Sequence, residues 1–206
     1  MPTTFWFVLV HYIWRPSLPL AQLLVIIYPG VLVFWLIWHT NIERLRRMGT
    51  RAYWIAGIGW PLTAIPLLYF RNEVFSAQWP ARPISLVMGV LELICAIILL
   101  RKAGGKISAR TMIGLPELDP QKNTQPMLDT GIYSRTRNPL YLSHWLFILA
   151  FAKISGYAAN IILFGVDCAV LPLMIRAEER ELLNRYGAQF KDYMQRVPRF
   201  FPKWTW

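Results

Sequence analysis

The stretch Ile84–Leu100, ISLVMGVLELICAIILL, carries a single charged residue, Glu92, in seventeen positions. As an α-helix it is about 26 Å long at ~1.5 Å per residue. That is close to the ~30 Å hydrocarbon core of a bilayer. Backbone groups in lipid must be satisfied within their own segment, so the run predicts a membrane-spanning helix. Four more apolar blocks flank it. On the N-terminal side are Leu18–Trp38, softened by Pro29–Gly30, and Tyr53–Phe70, which Pro61 and Pro66 should kink. On the C-terminal side are Leu140–Ala152 and Tyr157–Ile175, joined through Lys153–Gly156 as a tight helical hairpin. The expected fold class is all-α, a polytopic membrane protein with five transmembrane helices. It forms a single domain over 1–206, with three N-terminal helices in 1–100 and a catalytic region in 101–206 built on the 140–175 hairpin.

Composition agrees. Hydrophobic residues make up 55% of the 206 positions and charged ones 16%, against about 25% charged in soluble domains. An ordinary soluble globule and a disordered chain are both excluded. Phe5–Trp14 is too short to span and lacks a basic start and a small-residue cleavage site, so it reads as an interfacial helix and not a signal peptide. The 10 Trp and 9 Tyr suit the headgroup layer. The net charge of +11 reads as a basic face on anionic lipid headgroups, not as a nucleic-acid surface. Of the 22 Lys and Arg, 18 fall in 39–52, 101–139 and 176–206, and four on the other side of the five spans. The positive-inside rule then puts the C-terminus in the cytoplasm and the N-terminus outside. Cys95 and Cys168 lie in apolar runs, and neither they nor His11, His39 and His144 have metal-ligand spacing.

Function is expected on the basic side. The connection 101–139 is far longer than a typical linker, and Leu182, Leu183, Tyr186, Phe190 and Tyr193 recur at helical spacing beyond the fifth span. Three constellations stand out. Leu128-Asp-Thr-Gly-Ile-Tyr-Ser-Arg-Thr-Arg-Asn-Pro-Leu-Tyr141 is a turn, two arginines, and an Asn-Pro that opens a helix. Asn138 can cap that helix and Pro139 suits its first position. The segment serves either as a positive-inside anchor with a cap or as an anion-receptive corner beside Arg137. Arg176-Ala-Glu-Glu-Arg-Glu181 sets Glu178 and Glu179 at the edges of an apolar stripe where the fifth helix leaves the bilayer. For Glu181, a solvated i,i+4 pair with Arg185 is the plainer reading. Tyr186-Gly-Ala-Gln-Phe-Lys-Asp-Tyr193 followed by Val197-Pro-Arg-Phe200 reads as helix, stop and aromatic clamp.

Taken together, Gly131-x-Tyr133, Arg137-Asn-Pro-x-Tyr141, Arg176-x-Glu-Glu179, Gly187 with Phe190 and Tyr193, and Val197-Pro-Arg-Phe200 resemble the isoprenylcysteine carboxyl methyltransferase and phospholipid methyltransferase superfamily. The resemblance covers roughly 125–202. It implies an integral membrane methyltransferase that uses S-adenosyl-L-methionine and takes a lipid-like acceptor from the bilayer. It also implies a cofactor site closed by Gln125, Leu128, Gly131, Tyr133, Arg137, Asn138, Pro139 and Tyr141 on one side and by Glu178 and Glu179 on the other. Gln125 stands where many eukaryotic members have His, and Asn138 replaces the His of the prenylcysteine enzymes. Asp129-Thr130-Gly131 carries one Gly where phosphatidylethanolamine methylating members show Gly-x-Gly. These departures bear on the acceptor more than on the cofactor.

The residue chemistry suits that cofactor. Arg137 and nearby N–H groups can hold its carboxylate. Glu178 and Glu179 can take the ammonium or ribose hydroxyls. Tyr133 and Tyr141 can face adenine or the sulfonium. Arg176 is the expected catalytic residue, orienting a carboxylate acceptor that needs no general base; an amine acceptor needs a neutral nucleophile and a proton sink. Glu92, Asp167 and Arg199 are the candidate acceptor-side residues, the two acids being intramembrane and equally suited to interhelical hydrogen bonding. An NADPH-dependent membrane reductase and a non-catalytic scaffold or small-molecule carrier are the alternatives.

Overall fold

The computed structural model describes residues 9–80 and 82–201. Residues 5–8 of the Phe5–Trp14 segment lie outside the described residues; Leu9–Trp14 is a π-helical turn leading into the first long helix. Seven helices carry the fold: α1 (Arg15–Met48), α2 (Ala52–Gly57), α3 (Gly59–Tyr69), α4 (Pro83–Gly104), α5 (Pro139–Ser155), α6 (Ala158–Tyr186) and α7 (Ala188–Arg196). No β-sheet is present among the described residues, only an isolated bridge between Gln78 and Tyr157.

Three helical stretches among the described residues are long and apolar enough to cross a membrane: Val10–Tyr69, Pro83–Gly104 and Ala158–Tyr186; Pro139–Ser155 is apolar but shorter. The first, at 60 residues, is about 90 Å of helix, three times the hydrocarbon thickness. It folds back on itself, with α3 packed along α1. The break at Ile58 follows from Pro61, which has no N–H for the Gly57 carbonyl; Pro66 sits inside α3. Large apolar side chains such as Leu62, Ile65, Ile84, Ile94 and Ile162 face outward. An outward apolar shell on helices whose backbones satisfy themselves is the surface a bilayer requires. The chain is a helical membrane protein.

α1 packs against α3, α5 and α6, and α4 lies along α5. The α4–α5 approach is close because Gly89 has no side chain: a Cβ there would lie 2.5 Å from Ile154 Cγ1 and 2.9 Å from the Ala150 carbonyl oxygen. The α5–α6 turn is set by Gly156 at φ 71°. Its carbonyl accepts from Trp79 N–H at 2.9 Å, and a Cβ would meet the Trp79 oxygen at 2.4 Å.

Two elements depart from the sequence expectation. α1 runs ten residues past Trp38 and bends at Asn41 (φ −122°, ψ 17°). Asn41 Nδ2 donates to the Ile37 carbonyl at 3.1 Å, the kind of side-chain competition that bends helices. α6 runs well past Ile175, to Tyr186, because nothing in Arg176–Arg185 breaks a helix until Gly187, at φ 57°. The Arg176–Glu181 motif therefore sits on one continuous helix.

Candidate functional site

At one end of the bundle the chain between α4 and α5 folds over the last turns of α1 and α6. Gly131–Ser134 forms a 3₁₀ turn that buries Tyr133, and Arg135–Asn138 then runs into Pro139 at the start of α5. The C-terminal segment locks this strip in place. Arg137 N–H donates to the Pro198 carbonyl at 2.9 Å, Thr136 Oγ1 to the Arg199 carbonyl at 3.3 Å, and Tyr193 Oη to the Tyr133 carbonyl at 2.7 Å. Phe190, Tyr193 and Val197 form a small core with Leu182 and Tyr186, so that part of the apolar stripe is packing; Leu183 is exposed. Asn138 was expected to cap α5. Its side chain makes no cap and donates instead to the Arg199 carbonyl at 3.0 Å, the same oxygen that accepts from Thr136 Oγ1.

Between the strip, the Leu115–Leu118 turn, α6 and α7 lies a cavity of about 820 Å³ of empty space, part of it open to solvent. Nine of the ten residues expected around the cofactor line it. Gln125, Leu128, Tyr133 and Arg137 come from the strip, Asn138, Pro139 and Tyr141 from the start of α5, and Glu178 and Glu179 from α6. Gly131 does not line it; at φ 65° it turns the chain that presents Tyr133.

The two glutamates have different surroundings. Glu179, 5% exposed, is consumed: Oε1 takes Arg137 Nε at 3.0 Å and Nη2 at 2.9 Å, while Oε2 takes Arg199 Nη2 at 2.6 Å. Arg137 gives its remaining nitrogen to the carbonyls of Met194 (2.8 Å) and Val197 (2.6 Å). The Arg137 guanidinium, expected to hold a cofactor carboxylate, and both Glu179 oxygens, expected to take ammonium or hydroxyls, are engaged with each other and with Arg199. They build the wall. Glu178 is the opposite case: its Oε2 is buried without an aligned hydrogen-bond partner, with Tyr133 on the same cavity wall and the Tyr141 hydroxyl close enough to interact with the carboxylate. Burial, then the nearby Glu178 charge, pushes the Tyr133 hydroxyl above its usual titration range. Burial does the same for Tyr193 against the opposing Arg137. Both stay neutral at physiological pH.

Four expected residues do not reach the cavity. Arg176 is exposed and lines a separate, solvent-open groove between the ends of α1 and α6, together with Arg44 and Arg180. On a helix, positions 176 and 178 are about 200° apart and face opposite sides. Glu92 is ion-paired with Lys153 across the α4–α5 contact. Asp167 is fully buried and accepts from Tyr28 Oη at 3.4 Å. Arg199 is the Glu179 clamp.

One further glutamate was misread in the sequence and another went unread. Glu181 does pair with Arg185 (2.7 Å) but is buried at 5% exposure and also holds Arg46 at 2.5 Å, so the solvated reading of it is corrected. Glu117 lines the cavity and approaches His39. Both placements depend on which helix ends meet, which no local pattern carries.

The fold and cavity define a helical membrane protein with a largely apolar pocket, carrying a few carboxylates and tyrosines, at one end of its bundle. No protein-family model matches the chain, and no solved structure matches it. Curated proteins do. Over 84 residues it is 32% identical to the nickel-cobalt-cadmium resistance protein NccN of Alcaligenes xylosoxydans xylosoxydans, covering 40% of this chain and 38% of the relative. Over 88 residues it is 33% identical to methanethiol S-methyltransferase 2 of Bradyrhizobium diazoefficiens, covering 42% and 31%. Over 137 residues it is 28% identical to the cobalt-zinc-cadmium resistance protein CzcN of Cupriavidus metallidurans, covering 66% and 57%. The chain thus spans between about a third and a little over half of the length of these relatives.

Proposed function

We propose that this chain is a membrane methyltransferase that binds S-adenosylmethionine in the cavity at the end of α6 and methylates a small lipophilic acceptor. The observation that carries the reading is Glu178: a buried carboxylate oxygen without a partner, on the wall of a tyrosine-lined cavity. A buried acceptor left unmatched is costly, and a cationic ligand group removes the cost. The residues present fit the cofactor. Glu178 takes its ammonium, and the tyrosine rings attract a cationic centre. The first turn of α5, whose leading N–H groups have no intrahelical partner, seats its carboxylate. When bound, the cofactor supplies a methyl group on positively charged sulfur. The chain's own contribution is alignment and exclusion of water, through a wall held by Arg137, Glu179 and Arg199. The partial similarity to a methanethiol S-methyltransferase supports the same reaction class.

A dinucleotide is less well served. Both arginines lining the cavity, Arg137 and Arg185, are engaged by buried carboxylates, which leaves its phosphates without a ready cation. The reading includes five membrane passes, the Val10–Tyr69 run counting as two and the α5–α6 hairpin completing the set. Arg176, Arg44 and Arg180 then lie at the cytoplasmic headgroups of anionic lipids. A part in resistance to divalent transition metals is a second reading, favoured by two of the relatives; metal tolerance of cells with and without the chain tests it. The test of the main reading is incubation of the protein in membranes with methyl-labelled S-adenosylmethionine, lipid extract and small thiols, with mass identification of the product. Label should move in wild type and not in Glu178→Gln. Absence of any labelled product in wild type across these acceptors contradicts the reading.

A further inference from the structure

His39 sits near the end of an apolar helix and has no part in the reading above. It is 5% exposed, stacks on Trp35 at 5.2 Å between ring centroids, and stands two residues before the bend in α1. Its Nδ1 is 3.3 Å from Glu117 Oε2, an oblique contact short of an aligned hydrogen bond, and its Nε2 is 3.2 Å from Tyr141 Oη. Tyr141 and Glu117 line the cavity, whereas His39 lines the solvent-open groove on the other side of the same wall. A carboxylate, an imidazole and a hydroxyl thus form a chain from the cavity to water. Contacts of this kind are often loose before substrate binds and tighten afterwards.

Resting on the methyl-transfer reading, we infer that Glu117, His39 and Tyr141 form a proton relay that takes the S–H proton of a thiol acceptor. A carboxylate acceptor arrives ionised and has no use for a relay. A cysteine thiol titrates at about 8.5 and an imidazole at about 6.5; a simple alkanethiol lies roughly two pH units above cysteine, so unaided transfer is uphill by a factor of about 10⁴, and the relay must be helped by the negative charge around the ring. Negative charge faces the ring from Glu117 on the connecting turn and from Glu178 and Glu181 on α6. Positive charge faces it from Arg44 and Arg46 on its own helix and from Arg176 and Arg180 across the groove. Arg46 is already neutralised by Glu181, and the other three are exposed and screened by solvent.

In the step, the thiol sulfur lone pair forms a bond to the methyl carbon of the sulfonium donor. The old methyl–sulfur bond breaks, and its electron pair stays on the departing sulfur. The S–H proton passes to Tyr141 Oη as the Tyr141 proton passes to His39 Nε2, leaving an imidazolium beside Glu117. The proton then leaves through the groove.

The test uses the full chain in lipid vesicles saturated with S-adenosylhomocysteine, with ethanethiol as the probe, and follows the ultraviolet absorbance of the thiolate against pH. Bound thiolate should form about one pH unit or more lower in wild type than in His39→Gln and in Glu117→Gln. Methyl transfer at neutral pH should fall by about tenfold or more in both, recovering as pH rises and the thiol ionises unaided. S-adenosylhomocysteine affinity in His39→Gln should stay within about threefold, since His39 does not line the cavity. The same thiolate titration in all three proteins, or a rate loss that does not change with pH, overturns the relay. Should one variant not fold, the other carries the comparison. Wild type that fails to bind S-adenosylhomocysteine sinks the methyl-transfer reading and the relay with it. Wild type that binds it yet shows no shifted thiolate sinks the relay alone.

Discussion

The adjacent glutamates 178 and 179 should answer very differently to the same substitution. In Glu179→Gln, the Arg137 pair loses its charge with side chains only 9% and 6% exposed; breaking a buried pair costs about 3–5 kcal/mol. The Arg199 arm is 41% exposed and adds only about 0.2–1 kcal/mol after solvent screening. Glutamine keeps one acceptor and recovers about 1 kcal/mol. The net loss should be near 3 kcal/mol, or about 6–12 °C in melting temperature for a chain of this size. The segment 190–200 should loosen first, because Arg137 also ties down the Met194 and Val197 carbonyls. Glu178→Gln removes an unmatched buried carboxylate oxygen and should leave stability unchanged or slightly raised. It should weaken S-adenosylhomocysteine by about 1.5–3 kcal/mol, the range of a charge-assisted hydrogen bond. The assay is a thermal melt of both variants in the same detergent, paired with calorimetric titration. Equal melting losses in the two proteins, or a Glu179→Gln protein as stable as wild type, would refute the division of labour.

Arg176→Lys should bind S-adenosylhomocysteine like wild type and turn over within about twofold of it, since Arg176 lies on the groove and not the cavity; a tenfold turnover loss would restore it to the acceptor site. Gly156→Ala should cost about 2–4 kcal/mol by thermal melt, combining positive-φ strain with the 2.4 Å approach to the Trp79 oxygen. Tyr133 and Tyr193 titrate higher in the folded chain than in the unfolded one. Their contribution is therefore intact below the unfolded tyrosine pKa of about 10 and is lost as pH rises through and above it. Melting temperature should fall above that pH, and fall less steeply in Tyr133→Phe. An unchanged slope would remove Tyr133 as a source.

The membrane fold was legible because its signal is local. Ile84–Leu100 and the α5–α6 hairpin are continuous apolar runs, and Pro61 and Gly187 stop or break helices by chemistry that needs no tertiary context. The strip 125–141 and the Glu178–Glu179 pair were legible as motif residues, and they do meet at one cavity. Their roles were not legible. That Glu179 is spent on Arg137 and Arg199 while one oxygen of Glu178 is left without an aligned partner depends on the path of residues 197–200 over the strip. Arg176 was misplaced because nearness in sequence is not nearness on a helix face. Glu117 and His39 come from segments 78 residues apart, and only the packing of the α1 end against the Leu115–Leu118 turn brings them to 3.3 Å.

The central claim is that the cavity beside Glu178 holds S-adenosylmethionine, and calorimetric titration of the purified wild-type chain tests it most directly. Saturable binding of S-adenosylhomocysteine, weakened in Glu178→Gln and absent for NADPH, is the predicted result. Saturable NADPH binding with no response to S-adenosylhomocysteine would contradict it.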